Sequence, residues 1–170
     1  MPEMLEVRWH GRGGMGSVTS AELFAAAAID EGKFAQSFPS FGPERRGAPV
    51  TAYLRISDEF IRLRTDITKP DILVVVDPKL LDQIDVTVGL KPNGTIIVNS
   101  PLKAKELKKK YNFKWKVATV DGTKIARETI KLTISNTAMM GALNRVINSV
   151  KMESLEERIK ERFGDRAAGN

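Results

Sequence analysis

The chain has 170 residues, 42% of them hydrophobic, with a formal net charge of +6, one histidine and no cysteine. That length supports one domain with its own core, while the missing thiols and the single imidazole exclude disulfides and any zinc or haem ligand set, so a metal or redox centre must come from a partner. No stretch approaches the roughly 18 apolar residues of a membrane span and "MPEMLEVRWH" lacks the layout of a secretory signal, so a cytoplasmic protein is expected, its positive charge suited to an anionic ligand, an acidic partner or nucleic acid.

In chain order, "LEVRW" alternates Leu5, Val7 and Trp9 with polar residues and predicts a strand. Four glycines in six positions follow, and Gly11, Gly13 and Gly16 satisfy G-x-G-x-x-G. From Ser17 to about Glu31, Ala21, Ala25 and Ala28 recur at helical spacing, predicting a helix that lies close to a sheet and ends at Gly32. "KFAQSF" reads as a short strand, and "PSFGPERRGAP" as a loop carrying Arg45 and Arg46. "VTAYLRIS" and "FIRLR" alternate on either side of Asp58 and Glu59, which predicts an antiparallel hairpin and hence a mixed sheet.

"DILVVVD" and "GTIIVN" are continuous apolar runs suited to central strands covered on both faces, and "WKVATVD" is a further strand. "PKLLDQIDVTVGLK", "LKAKELKKKY", "GTKIARETIKLTI" and "NTAMMGALNRVINSV" predict helices. A last helix is marked by an S-x-x-E box at Ser154 and Glu157, with Met152, Leu155, Ile159 and Phe163 on its apolar face. The expected fold is α/β: one three-layer α/β/α domain over residues 1–170, with a mixed, mostly parallel sheet and an antiparallel hairpin.

The glycine loop stands between a strand and a helix, the setting in which backbone N–H groups at a helix start hold phosphate; glycines also serve a bare strand-to-helix turn. A dinucleotide site needs an acid on the ribose about 20 residues further on. That region reads "FAQSFPSF" and offers none, which counts against NAD. Arg45 and Arg46 can grip phosphate or carboxylate in a bidentate manner, or stand as a solvated basic turn. His10 has no acid or nucleophile partner in the pattern, and Asp77 and Asp121 suit helix caps as well as ligands. "LKKKYNFKWK" interleaves basic and aromatic residues, a pattern suited to single-stranded nucleic acid, but reads better as a helix end running into a strand. No Ser-His-Asp set, Cys-His set or acid/base carboxylate pair is legible, so no catalytic residue is assigned.

"EVRWHGRGGMGSVTSAELFAAAAIDEGKFAQSFPSFGPERRGAPVTAYLRIS", "KPDILVVVDPKLLD", "GLKPNGTIIVNS" and "NTAMMGALNRV" together resemble the gamma subunit of the 2-oxoacid:ferredoxin oxidoreductases, nearest the pyruvate type. Met15 stands where many members carry Gln, and members usually continue through another helix beyond "DRAAGN". The resemblance implies a subunit that completes an assembly with alpha, beta and delta chains and helps bind coenzyme A. Thiamine diphosphate, magnesium and [4Fe-4S] clusters are implied in those partners, which pass electrons to ferredoxin. By the matching motifs, Arg12, Gly13, Gly14, Met15, Arg45 and Arg46 are the expected coenzyme A cradle. The implied overall reaction is oxidative decarboxylation of pyruvate with CoA to acetyl-CoA, CO2 and reduced ferredoxin, or its reverse. A subunit for another 2-oxoacid (2-oxoisovalerate, 2-oxoglutarate or indolepyruvate), a nicotinamide- or flavin-binding domain, and a basic nucleic-acid module are the alternatives. Stripped of its partners, such a chain is expected to pair with itself.

Overall fold

The computed structural model describes residues 4–40 and 47–164. Six strands, β1 (Met4–Arg12), β2 (Phe34–Pro39), β3 (Pro49–Ser57), β4 (Ile72–Val75), β5 (Thr95–Asn99) and β6 (Lys116–Val120), form one sheet in the order β2-β3-β1-β4-β5-β6. The β1–β4, β4–β5 and β5–β6 pairs are parallel, whereas β3 runs antiparallel to both neighbours, β1 and β2. The sheet is therefore mixed and mostly parallel, as the sequence predicts.

Five helices complete the fold: α1 (Ser17–Asp30), α2 (Ala104–Lys110), α3 (Gly122–Thr129), α4 (Asn136–Ile147) and α5 (Met152–Phe163). The central strands show why their sequences lack alternation. Ile72 and Val74 enter a core under α1, α4 and α5, while Leu73 and Val75 enter a second core closed by Leu107 of α2 and by Val86, Leu90 and Phe113. Both faces of β4 are dry, so every position is apolar. The small residues Ala21, Ala25 and Ala28 are almost fully buried, which lets α1 approach the sheet, and Gly32 at φ 80° turns the chain out of the helix.

Three local expectations are corrected. Residues 60–64 form no strand, because both edges of β3 are already occupied by β1 and β2. The segment straps across the sheet instead: Gln36 Nε2 donates to the Ile61 carbonyl and Arg55 Nη2 to the Thr65 carbonyl. The run 78–91 holds only a 3-10 turn, Pro78–Asp82. Beyond it Asp85 accepts from the N–H and hydroxyl of Thr87, and Gly89 at φ 78° passes against the Thr68 carbonyl where a Cβ would sit 1.9 Å away. The S-x-x-E box does not form: α5 begins at Met152, Ser154 lies inside it, and Glu31 accepts from the Lys151 N–H in its place. The face opposite α1 is thus only partly helical, covered by α2 and the 3-10 turn over β4–β6 and by loops over β1–β3.

Buried charge ties those loops down. Arg55, 1% exposed, pairs with Glu6 at 2.9 Å and lies over the Phe38 ring. Arg8 donates to the carbonyls of Val86 and Val88, holding residues 83–90 against β1.

Candidate functional site at the glycine loop

The connections place the glycine loop where the sheet changes direction. From β1 the chain crosses over α1 to β2 on one side, and the later strands β4, β5 and β6 build outward on the other. Ligand crevices of open α/β sheets lie at the carboxyl ends of strands at such a switch point. Residues 11–16 and Asp77, the residue following Val76 at the end of β4, stand there side by side.

The loop is a tight turn: the Met15 N–H donates to the Arg12 carbonyl and the Gly13 N–H to the Ala48 carbonyl, while Gly14 and Gly16 take φ of 90° and 80°. Only glycine holds those angles without strain. Gly11 is needed for a second reason, since a Cβ there would sit 2.1 Å from the Ser17 hydroxyl. Ser17 is buried, and its Oγ has no hydrogen-bond partner among the described residues.

Arg12 is a strut. Its Nε donates to Asp77 at 2.5 Å, Nη1 to the Gly47 carbonyl at 3.0 Å and Nη2 to Gln83 at 2.7 Å. The guanidinium thereby neutralises the Asp77 carboxylate beside the loop. Asp77 also accepts from the Lys79 N–H, capping the 3-10 turn. The Met15 side chain packs against the α1-side core. The structure thus brings Arg12, Gly13, Gly14 and Met15 into one turn, with the Gly13 and Met15 amides and the Arg12 head engaged by the protein. Arg45 and Arg46 lie outside the described residues.

What the loop leaves open is the start of α1. Its N-cap is Gly16, which has no side chain to cap the first N–H groups. A second uncapped start lies against it: a Cβ at Gly16 would stand 2.5 Å from Asn136 Nδ2, at the first residue of α4. The N-cap of α4, Ser135, makes no cap hydrogen bond, and its hydroxyl is taken by Asn99 Nδ2 at 3.1 Å. Asn99, buried at the end of β5, also reaches the Val76 carbonyl and the Thr123 hydroxyl, both at 3.0 Å, and accepts from the Thr123 N–H. One amide therefore fixes the end of β4 and the starts of α3 and α4. Asp121 caps α3 by accepting from the Lys124 N–H.

Sequence reasoning passed over Gly16 as a contact, Ser17, Asn99, Ser135 and Asn136. "NTAMMGAL" marked the last of these only as part of a family pattern; nothing local says that Asn136 meets Gly16.

His10, next to the loop, is buried, and its Nε2 accepts from Arg8 Nε at 3.1 Å. Burial, reinforced by the neighbouring guanidinium, lowers its pKa to about 3. It is a neutral structural imidazole at physiological pH. The aromatic rings of the basic run are committed to the protein: Tyr111 stacks on Phe113, and Trp115 Nε1 donates to the Lys91 carbonyl. No described helix is long and apolar enough to cross a membrane.

A strand, a glycine turn and a helix start without a side-chain cap at a switch point define an open α/β fold with a crevice at the carboxyl ends of its strands. Residues 6–170 match the model of the pyruvate ferredoxin/flavodoxin oxidoreductase family, and the chain belongs to that family. It is 53% identical over 161 residues to the gamma subunit common to the pyruvate and ketoisovalerate oxidoreductases of Thermococcus kodakarensis, covering 94% of this chain and 87% of that protein. It is 46% identical over 157 residues to the pyruvate synthase subunit PorC of Methanosarcina barkeri, covering 92% and 85%. The crystal structure of the pyruvate oxidoreductase subunit PORC of Thermotoga maritima superposes with a TM-score of 0.86 at 38% identity, covering 98% of this chain and 91% of that one.

Proposed function

We propose that the chain is the gamma subunit of a pyruvate:ferredoxin oxidoreductase, and that it completes the assembly and holds the phosphates of coenzyme A at the glycine loop. The observation that carries this reading is the pair of adjacent uncapped helix starts, Gly16–Ser17 of α1 and Ser135–Asn136 of α4. N–H groups at the positive ends of two helix dipoles suit an anion, and the nearby acids Asp77 and Asp121 are occupied by Arg12 and by the Lys124 N–H. Arg45 and Arg46, three and two residues before Ala48 in the sequence, whose carbonyl anchors the loop, would add positive charge.

The contribution of this chain is binding and positioning. It has no cysteine for a cluster, and in this reading thiamine diphosphate, magnesium and the [4Fe-4S] clusters sit in the alpha, beta and delta partners, which carry out the decarboxylation and pass electrons to ferredoxin. Anchoring the diphosphate fixes how far the thiol can reach into a partner, and proximity of that kind accounts for several kcal/mol of barrier. The similarity to pyruvate and ketoisovalerate subunits supports a 2-oxoacid substrate bound outside this chain. A cytoplasmic location goes with this reading.

The test is steady-state kinetics of the reconstituted oxidoreductase. Arg45→Gln with Arg46→Gln raises KM for CoA roughly tenfold or more, as expected for two lost charge-assisted contacts, and leaves KM for pyruvate unchanged. Unchanged KM for CoA in that double variant and in Gly16→Ala would remove the cradle from this loop.

A further inference from the structure

The two edges of the sheet are guarded differently. At one end β6 opens with the exposed Lys116, two residues after the exposed Lys114, the kind of charge that discourages edge pairing. At the other end β2, "FAQSFP", has no charged residue, and Lys33, which precedes it, is paired with Asp58. A groove of about 400 Å³ runs along it, lined by Ala35, Gln36, Ser37, Phe38 and Arg64. Beside it Phe34 and Phe60 meet edge to face, 43% and 65% exposed. Among the described residues no strand pairs with the outer edge of β2.

The register fixes which groups that edge offers. Ser40 donates to the Thr51 carbonyl, so with Phe38 opposite Tyr53 and Gln36 opposite Arg55 the even-numbered residues bond to β3. The N–H and C=O of Ala35 and Ser37 therefore point outward, and Pro39 ends the series because it has no donor. This set is self-complementary. In an antiparallel pairing about a twofold axis at Gln36, Ala35 of one copy exchanges both hydrogen bonds with Ser37 of the other. Phe34 then stands across from Phe38, Gln36 meets Gln36, and no like charges are opposed.

We infer that two copies of this chain pair through their β2 edges, joining their sheets into one continuous twofold sheet with Gln36 on the axis. The juxtaposition that carries it is an edge strand with no charged residue, unpaired among the described residues, whose two residues with both an outward N–H and an outward C=O, Ala35 and Ser37, are symmetric about Gln36. The pairing uses the end of the sheet away from the glycine loop's α4 side and is independent of the coenzyme A reading.

The experiment uses the full chain. Light scattering after gel filtration gives twice the 18.8 kDa of one chain. Ser37→Pro removes only an outward N–H and returns the mass to that of one chain with the circular dichroism spectrum kept. Gln36→Cys introduces the chain's only thiol. Facing non-hydrogen-bonded residues have Cα atoms about 4.5 Å apart, within the span of a disulfide, so mild oxidation links the dimer. Ser37→Cys, offset from its own copy, does not link. A monomeric wild type overturns the inference, as does a dimer that survives Ser37→Pro or fails to link through Gln36→Cys. If Ser37→Pro unfolds, the linking of Gln36→Cys against Ser37→Cys decides. A β2 edge whose amides become protected from hydrogen exchange only on adding the partner subunits would assign the edge to them and overturn the dimer.

Discussion

His10 is the only histidine in the chain, which turns a buried imidazole into a measurable slope of stability with pH. Its Nε2 accepts from Arg8, and its pKa falls from 6.5 to about 3, first because burial penalises the charged form and second because Arg8 is already positive. The folded pKa lies below the unfolded one, so between those values the unfolded chain binds the extra proton. The contribution is full above about pH 6.5 and is lost as the pH falls towards 3. With an unfolded pKa of about 6.5 and 1.36 kcal/mol per unit, the loss reaches about 2 kcal/mol at pH 5. Asp30, Glu31 and Asp85 are also lowered in the fold, by the Arg158 hydrogen bond for Asp30 and the Thr87 hydrogen bonds for Asp85, but carboxylates titrate near pH 4 when unfolded. The window from pH 7.5 to 5 belongs to His10. Urea unfolding at four pH values across it, at one fixed protein concentration, should show the drop in wild type and a flat profile in His10→Gln. A wild-type stability constant to within about 0.5 kcal/mol, or an equal drop in the variant, would refute a neutral buried imidazole.

Two further substitutions test the scaffold. Asn99→Ala leaves the Val76 carbonyl and the Thr123 N–H without their side-chain partner and should cost about 2–4 kcal/mol in urea unfolding; a cost under about 1 kcal/mol would mean that the amide does not hold the ends of β4, α3 and α4 together. Gly14→Ala and Gly16→Ala impose similar positive-φ strain of about 1 kcal/mol, but a Cβ meets nothing at Gly14 and meets Asn136 at Gly16. Thermal melts should therefore rank Gly16→Ala clearly below Gly14→Ala, and equal melts would mean that Gly16 and Asn136 are not in contact.

Much of the fold was legible because it rests on local periodicity. The run "ILVV" divides its side chains between two cores and so cannot alternate, and the alanines of α1 are spaced to one face. The failures share a cause. "FIRLR" alternates like a strand, but whether a strand forms depends on a free edge, and β1 and β2, distant in sequence, had taken both edges of β3. Likewise Ser154 and Glu157 have the spacing of a capping box, yet Glu31, more than a hundred residues earlier, supplies the cap. At the site, spacing revealed the glycine turn. It could not tell an arginine facing a ligand from one turned onto Asp77, as Arg12 is, nor show that Asn99 and Ser135 join across 36 residues.

The pattern of caps separates the turns that serve the fold from those left open. Asp77 caps the 3-10 turn, Asp121 caps α3, Glu106 accepts from the Lys103 N–H at α2, and Glu31 accepts from the Lys151 N–H at α5. The first two accept from N–H groups inside the first turn, a cap worth about 1 kcal/mol, whereas the last two accept from the N–H of the residue just before the helix. The starts of α1, α2, α4 and α5 have no side-chain cap on their first-turn N–H groups, and two of them, α1 and α4, touch each other at Gly16 and Asn136. At α1 a serine at position 16 would supply a cap but would carry its Cβ into Asn136 at a φ of 80°. At α4 the capping hydroxyl is present in Ser135 and is drawn away by Asn99. Two such starts in contact at the switch point of the sheet would suit the anion proposed for this loop.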